Sequence, residues 1–333
     1  MKIAYFDYTL DISVRNYIDN VVRELQALGV EVYPFGFYDP LPENADVYWD
    51  PRLTGARPPT EKFKRTSKPC VATVHGIAEL SLPPWEFYKT VKYAVKTLAQ
   101  ISMNIYRWRK WRGYCATIIT VSVYDKRNIE RRLFLRGENI VPIHHGVDHS
   151  LFTPGEAKKE PYFLHVSAYQ PGKNVNRIIA AYRRLPEAGK PQLILVVPGY
   201  SRNVELPGLS IQRHSMTHND LVPLYQKAMG FVFPSLHEGF GMPILEAMAC
   251  GCPVITSNVS ACPEVAGDAA LLVNPRSVDE IANAMRRLVE EPALRQSLRE
   301  KGIARAAQFT WEKSAKEHLQ VFEEAVRVRD VNG

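Results

Sequence analysis

The feature that most constrains the fold is an alternation of short apolar runs with longer amphipathic stretches along the chain. The chain opens with the strand-like run MKIAYFDY, and apolar residues then recur at helical spacing over 13–28 until Gly29 ends the pattern and VEVYPF follows. Such alternation is typical of mostly parallel sheets flanked by helices. The sequence therefore predicts an α/β fold that begins with a βαβ unit and continues with strands in the apolar runs CVATVHG, CATIITVS and NIVPIHHG, which end in small or polar residues.

A polar stretch at 149–161, HSLFTPGEAKKEP, interrupts this alternation before YFLHVS resumes it. Because 333 residues suffice for two domains of about 150 residues, we predict domains at 1–155 and 156–312, followed by a C-terminal helix at 313–333. The predicted elements after the boundary are strands near 162–167, 193–197, 231–233 and 253–256, and helices near 174–185, 220–229, 243–250, 277–290, 292–307 and 311–329.

Composition excludes several classes of protein. The chain is 46% hydrophobic and 23% charged, no run approaches the roughly 18 to 20 apolar residues that span a bilayer, and the N-terminus lacks a signal-peptide pattern. We therefore expect a cytoplasmic protein that does not cross a membrane. The five unevenly spaced cysteines favour reduced thiols packed in the core over a zinc site, so no metal is expected.

The stretch HEGFGMPILEAMACGCPVITSN at 237–258 carries a glycine turn followed by an apolar helix. Pro243 suits the first helical position because it needs no intrahelical hydrogen-bond donor, so the helix should begin at Met242 or Pro243. Gly239 and Gly241 allow a ligand to approach the backbone, and the free N–H groups of the first turn attract anions. This stretch therefore predicts a phosphate site.

Two acids, Glu238 and Glu246, lie on either side of this turn. We place Glu238 in the loop and Glu246 in the first helical turn. A carboxylate can accept two hydrogen bonds from a vicinal diol, which suits Glu246 to a ribose and Glu238 to a sugar hydroxyl. The alternative is that the helix dipole alone stabilises both acids and that neither binds a ligand.

The longer segment PSLHEGFGMPILEAMACGCPVITSNVSACPEVAGDAALLVNP closely resembles the donor-binding segment of the retaining glycosyltransferases of family 4, which have the GT-B fold. The later FTWEKSA stretch shares the resemblance, and weaker similarity covers 73–76, 118–122, 144–148 and 165–182. The resemblance implies two Rossmann-like domains facing a central cleft, with the C-terminal helix packing back on the first domain. It implies a nucleotide-sugar held by the second domain, an acceptor held by the first, retention at the anomeric carbon, and no metal or other cofactor.

The resemblance also assigns roles to individual residues. Lys173 matches the lysine that binds the donor diphosphate, Glu246 the acid that holds the ribose, Glu238 the acid that holds the transferred sugar or distal phosphate, and His75 the histidine that faces the sugar. His75, Glu238 and Lys173 form the predicted catalytic set. The predicted donor-binding set adds the turn residues Gly239, Phe240, Gly241, Met242, Pro243 and Ile244. The alternatives are a solvated Lys173 and a His75 that only bonds a backbone carbonyl.

Two departures from the family pattern concern the phosphates. The first βα loop, LDISVRNY, has no glycine, and Ser167 and Ala168 stand where the family usually has an arginine before the lysine. By position, Arg15 is a replacement cation for donor binding.

The net charge of +7 is concentrated at 87–114, a stretch with aromatic residues and no acid. An anionic membrane surface would suit such a stretch, while the alternative is a solvated helical face whose aromatics belong to the core. No nucleic-acid motif accompanies it. Its cations are Lys89, Lys92, Lys96, Arg107, Arg109, Lys110 and Arg112.

The sequence thus favours a glycosyltransferase of polysaccharide biosynthesis that moves a hexose to a glycan or lipid-linked acceptor. GDP-mannose is the first expected donor and UDP-glucose the second. Two alternatives stay open, namely a GT-B sugar-nucleotide epimerase and a non-catalytic domain that binds a sugar nucleotide or a membrane.

Overall fold

The structure is a computed structural model that describes residues 1–8, 12–87, 91–111, 113–155 and 159–332. The chain divides into two compact units. The first unit comprises Met1–Gly146 and Thr310–Gly333, and the second comprises Val147–Phe309.

The first unit is built on a six-stranded sheet in the order β2-β1-β3-β4-β5-β6, with every strand pair parallel. Its strands are β1 (Lys2–Phe6), β2 (Glu31–Phe35), β3 (Val47–Leu53), β4 (Cys70–Val74), β5 (Thr117–Thr120) and β6 (Ile140–Pro142). Its helices before the chain enters the second unit are α1 (Ile12–Ala27), α2 (Ala78–Ser81), α3 (Pro84–Phe87), α4 (Val91–Arg109) and α5 (Val123–Arg132).

The second unit repeats this architecture with the sheet order β12-β11-β10-β7-β8-β9, again all parallel. Its strands are β7 (Glu160–Val166), β8 (Gln192–Val196), β9 (Leu209–Gln212), β10 (Ala228–Phe233), β11 (Val254–Ser257) and β12 (Ala270–Val273). Its helices are α6 (Val175–Arg183), α7 (His218–Lys227), α8 (Met242–Ala249), α9 (Cys262–Ala266), α10 (Val278–Glu290) and α11 (Pro292–Ala306).

The last helix, α12 (Trp311–Asn332), belongs to the first unit, where it packs against α1, β3 and β4. Trp311 and Phe322 are buried there, and His318 Nε2 lies 2.6 Å from the hydroxyl of Tyr17 on α1. Burial of these rings fixes the end of the chain on the first unit.

The predicted α/β class with two parallel sheets is confirmed, and the predicted elements of the second half agree with the observed ones to within a few residues. β3, β9 and β12 were not predicted from the sequence. In β3 the buried run VYWDPRL contains Asp50 and Pro51, which read as a turn. In β9 only four residues, LSIQ, pair with β8.

The basic stretch forms α4 and the turn after it, although Lys89 and Arg112 lie outside the described residues. Trp108 and Trp111 are buried in the first unit's core, as the core-packing alternative expects, whereas Tyr106 is exposed. All five cysteines are buried thiols. Within the described ranges, no helix combines the length and apolar character needed to cross a bilayer.

Candidate functional site

The start of α8 lies where the sequence placed it, at Met242, with Pro243 in the first turn. The helix is preceded by Gly241, whose φ of +105° favours glycine. A Cβ at this position would also lie 3.0 Å from Ile244 Cδ1. The glycine therefore permits the sharp backbone turn before α8, and the N–H groups of the first helical turn lie next to that turn.

Lys173 and Glu238, which the sequence assigned to one site, are in direct contact. Lys173 Nζ donates to Oε1 of Glu238 at 2.8 Å and to Oε2 at 2.9 Å. Glu238 is buried and Lys173 is partly buried, so this ion pair is shielded from water more than a surface pair. The ammonium also lies 5.4 Å from the centre of the Phe233 ring at the end of β10.

The loop that carries Lys173 is fixed by Asn174. Lys173 ends a short 3-10 helix, and Asn174 follows in the left-handed region with φ of +64°. The buried Asn174 amide donates to the carbonyls of Pro234 at 2.8 Å and Pro275 at 2.6 Å. One side chain thereby holds the lysine loop against the segments that follow β10 and β12.

The loop that carries Glu238 is fixed by Ser260, which lies after β11. The Glu238 amide donates to the Ser260 hydroxyl at 3.1 Å, and Ser260 itself has a φ of +59°. Leu236 N donates to the Gly172 carbonyl at 2.8 Å. These bonds join the loops at the carboxyl ends of neighbouring strands, the edge at which open α/β sheets bind ligands.

The prediction that Glu246 lies in the first turn of α8 is wrong. The helix begins at Met242, so Glu246 lies in its second turn, where it is buried. Its Oε2 accepts a hydrogen bond from the Tyr225 hydroxyl at 3.1 Å. Burial raises the pKa of Glu246 to about 7, and the bond from Tyr225 only partly offsets that rise.

The position of Glu246 bears on the alternative that the helix dipole alone explains it. The dipole acts on acids in the first turn of a helix, and Glu246 lies past that turn. Burial raises the pKa of this carboxyl, so its charged form is held at an energetic cost. A group kept at such a cost is a functional-site candidate.

The chain supplies no cation where the family pattern has its arginine. Ser167 is buried there and bonds His165 Nε2 at 2.8 Å. Since His165 Nδ1 lies 2.8 Å from the Val232 carbonyl, which can only accept, Nδ1 carries the proton and Nε2 accepts from the Ser167 hydroxyl. Burial lowers the pKa of His165 to about 4, so this chain of bonds is neutral at pH 7.

His75 and Arg15, two further predicted site residues, belong to the first unit. His75 Nε2 donates to the Pro51 carbonyl at 2.6 Å, the backbone bond that the alternative interpretation expected. Its ring packs edge-on against Tyr17, with centroids 4.6 Å apart. Arg15 is paired with Asp7, and its other guanidinium nitrogen lies 3.8 Å from Asp19. The charge of Arg15 is thus balanced within the first unit.

Three residues of the second unit that shape the site escaped sequence reasoning, namely Asn174, Tyr225 and Ser260. Tyr225 fits the apolar spacing of α7 and reads as core. Asn174 and Ser260 act through left-handed backbone conformations that only their three-dimensional contacts reveal. The only signal was that Asn directly follows Lys173, since Asn tolerates the left-handed region.

The family profile described as "Glycosyl transferases group 1" matches residues 148–305, which include Lys173, Glu238 and Glu246. The O-antigen chain mannosyltransferase B of Escherichia coli is 30% identical over 275 residues, covering 76% of this chain and 69% of that protein. The chain belongs to the group 1, family 4 type glycosyltransferases.

Other similarities agree with this membership. The serotype-specific mannosyltransferase WbdA of Escherichia coli is 35% identical over 176 residues, which are 49% of this glycosyltransferase but only 21% of that longer protein. The sucrose-phosphate synthase structure from Thermosynechococcus elongatus has a TM-score of 0.77 at 18% identity, covering 97% of this chain and 98% of that chain. That structural likeness establishes the GT-B fold.

Proposed function

We propose that this glycosyltransferase moves mannose, with retention, from GDP-mannose to a glycan or lipid-linked acceptor in polysaccharide biosynthesis, with UDP-glucose as the second candidate donor. The names of the two mannosyltransferase relatives support the choice of mannose. The observation that carries the proposal is the Lys173 to Glu238 ion pair, held at the same strand edge as the start of α8 and the buried Glu246.

In this proposal Lys173 binds the donor diphosphate. Two of the three ammonium protons are used on Glu238, which leaves one donor direction for a phosphate oxygen. Negative charge grows on the diphosphate as the sugar leaves, and a fixed cation with the N-terminal amides of α8 stabilises it. Glu238 limits the positive charge before the donor arrives and then accepts hydrogen bonds from the transferred sugar.

Glu246 is proposed to bind the two ribose hydroxyls. Hydrogen bonds donated by the diol favour the ionised carboxylate and therefore lower its pKa from about 7. Donor binding then releases a proton from Glu246 near neutral pH. We expect donor affinity to increase as the pH rises from 6 to 8, because the free enzyme is then already ionised.

We also propose that the reaction needs no metal or other cofactor and that the enzyme works in the cytoplasm. Lys173 and the α8 amides supply positive potential to the diphosphate. Turnover should then persist in the presence of EDTA. A loss of turnover in EDTA that Mg²⁺ or Mn²⁺ restores would contradict the metal-free proposal.

The test is a thermal-shift titration of the purified chain with GDP-mannose, UDP-glucose and UDP-N-acetylglucosamine, followed by product analysis with a glycan extract. A transferase releases nucleoside diphosphate and elongates the acceptor. Conversion of the sugar nucleotide without an acceptor indicates the epimerase, and binding without turnover indicates the non-catalytic domain. Glu246→Ala should abolish the shift, while Lys190→Ala, a lysine of the same unit paired with Glu187, is the matched control.

A membrane surface is proposed as a second partner because of α4. One side of this helix is buried at Ile101, Asn104 and Trp108, while other apolar side chains of the helix are exposed. The exposed cations Arg107, Arg109 and Lys110 follow at its C-terminal end. The exposed apolar residues are Val95, Leu98, Met103 and Tyr106.

An exposed apolar face beside cations suits the interface of an anionic bilayer. Flotation with vesicles containing phosphatidylglycerol should carry the protein upward, and Leu98→Glu together with Met103→Glu should prevent this. Equal flotation of wild type and variant would contradict membrane binding through α4.

A further inference from the structure

Three aromatic side chains lie exposed at one edge of the first unit's sheet. Tyr8 is 60% exposed, Phe37 55% and Tyr38 94%. The centroids of Tyr8 and Phe37 are 6.1 Å apart, and those of Phe37 and Tyr38 are 5.2 Å apart. We call these three residues the aromatic platform. Exposed aromatic groups of this kind mark interaction sites more often than lone surface residues do.

The aromatic platform stands where an α/β sheet binds ligands. Tyr8 follows β1 and Phe37 follows β2, and these strands are parallel neighbours. Asp7 N donates to the Phe35 carbonyl at 2.9 Å, which holds the ends of both strands together. The rings therefore lie at the carboxyl ends of two adjacent strands, the side on which open sheets carry their ligands.

The loop that presents Phe37 and Tyr38 is fixed by polar contacts. Gly36 N donates to Asp39 Oδ2 at 2.6 Å, and Lys62 Nζ donates to the carbonyls of Gly36 at 3.1 Å and Asp39 at 2.5 Å. Phe37 and Tyr38 are thus presented by a loop whose conformation these hydrogen bonds fix. A preorganised surface loses less entropy when a ligand binds.

The charged groups beside the platform bear on the class of ligand. Asp7 and Asp39 adjoin the rings in the chain, and Arg15 is paired with Asp7. Lys62 Nζ lies 6.0 Å from the centre of the Phe37 ring and donates to the carbonyls of Gly36 and Asp39. Each of these cations thus already has a partner, whereas an anionic bilayer or nucleic acid is bound by clusters of exposed cations. A pyranose ring instead offers a C–H face that packs on aromatic rings and hydroxyl groups that donate to carboxylates.

We propose that the aromatic platform binds the sugar rings of a glycan acceptor, with Tyr8, Phe37 and Tyr38 stacking on pyranose faces and Asp39 accepting hydroxyl hydrogen bonds. This inference rests on the proposed glycosyltransferase function and adds to it that the acceptor is recognised through its carbohydrate. The platform belongs to the first unit, whereas the proposed donor residues Lys173, Glu238 and Glu246 belong to the second.

The test uses saturation-transfer NMR of the whole chain with α-linked mannotetraose and, in a second arm, maltotetraose. Phe37→Ala with Tyr38→Ala should weaken binding of the preferred oligosaccharide at least about tenfold, the size expected for lost aromatic stacking. Tyr38→Trp should retain binding. Tyr114→Ala, a half-exposed tyrosine far along the chain, is the control. Tyr38 is almost fully exposed, so its removal leaves the fold intact.

Transfer assays give the second readout. The double variant should raise the acceptor KM at least about tenfold and leave the donor KM and the thermal shift with GDP-mannose unchanged. Unchanged glycan binding in the double variant overturns the inference. The inference is also overturned if the double variant still binds the glycan but no longer floats with vesicles or no longer forms a dimer. The platform would then contact a lipid surface or a second copy of the chain.

Failure of the proposed function has a different signature. If the wild type binds the oligosaccharide through the platform but never releases nucleoside diphosphate, the transferase proposal fails and the glycan site stands. If the wild type transfers sugar and the double variant does so with an unchanged acceptor KM, the glycan site fails and the transferase proposal stands.

Discussion

Glu246→Gln should stabilise the second unit in a pH-dependent manner. Burial raises the pKa of Glu246 to about 7 from the ordinary value of 4.5, so the folded state holds a proton that the unfolded state releases between these values. Stability must therefore fall as the pH rises through this window and stay low above it. Glutamine cannot ionise, and its carbonyl can still accept the hydrogen bond from Tyr225.

The size of this change in stability follows from the pKa shift of Glu246. A difference of about 2.5 pKa units corresponds to about 3 kcal/mol of lost stability at pH 8 and under about 1 kcal/mol at pH 5. Glu246→Gln should recover this cost, so its advantage over wild type should grow by about 2 kcal/mol between pH 5 and pH 8.

The assay must separate the two units. All five tryptophans, at positions 49, 85, 108, 111 and 311, belong to the first unit, so tryptophan emission during urea unfolding reports that unit alone. Hydrogen exchange measured by mass spectrometry on peptides of β10 and α8 reports the second unit. The tryptophan transition should be the same in variant and wild type. A Glu246→Gln advantage that is equal at pH 5 and pH 8 would refute a raised pKa for this carboxyl.

Three further changes test other parts of the structure. Asn174→Ala should lower the free energy of unfolding of the second unit by about 2 to 4 kcal/mol, because it leaves the Pro234 and Pro275 carbonyls without their amide donor and puts alanine in a left-handed conformation. Asn174→Gly removes only the hydrogen bonds and should cost about 1 kcal/mol less. Equal urea midpoints for the two variants would rule out the conformational contribution. Burial lowers the pKa of His318 to about 4, so the free energy of unfolding of the first unit should fall by about 2 kcal/mol or more on acidification from pH 6.5 to pH 4. His318→Gln should reduce this fall in tryptophan-monitored unfolding. An unchanged pH dependence in the variant would contradict the lowered pKa. Gly241→Ala should weaken donor binding in thermal-shift titrations, because a φ of +105° strains alanine by about 1 to 3 kcal/mol, and a wild-type donor shift would show that this turn does not shape the site.

The sequence predicted the second unit better than it predicted the energetics of its site. Pro243 marks the start of α8 because its ring restricts the backbone, and the glycines before it permit the turn; that start is confirmed. The buried state of Glu246 depends on Tyr225, which is brought to it by packing of α7 on α8. Local sequence carries no record of such a contact.

The first unit shows the same limit. The sequence identified β4, with His75 directly after it, from a plain apolar run. It did not identify β3, because Asp50 and Pro51 interrupt the apolar pattern; within the sheet Asp50 is buried, accepts a bond from Thr60 N at 3.1 Å and pairs with Arg52. Tertiary contacts there overrule a local turn signal.

We propose that the second unit binds a nucleotide diphosphate sugar through Lys173, Glu238 and Glu246. Isothermal titration of wild type and Lys173→Met with GDP-mannose and with UDP-glucose tests this binding directly. We predict saturable one-to-one binding of one donor to the wild type and at least about tenfold weaker binding to Lys173→Met, since a charge-assisted contact to the diphosphate is lost. Equal affinity of both proteins, or no binding of either donor to the wild type, would contradict the claim.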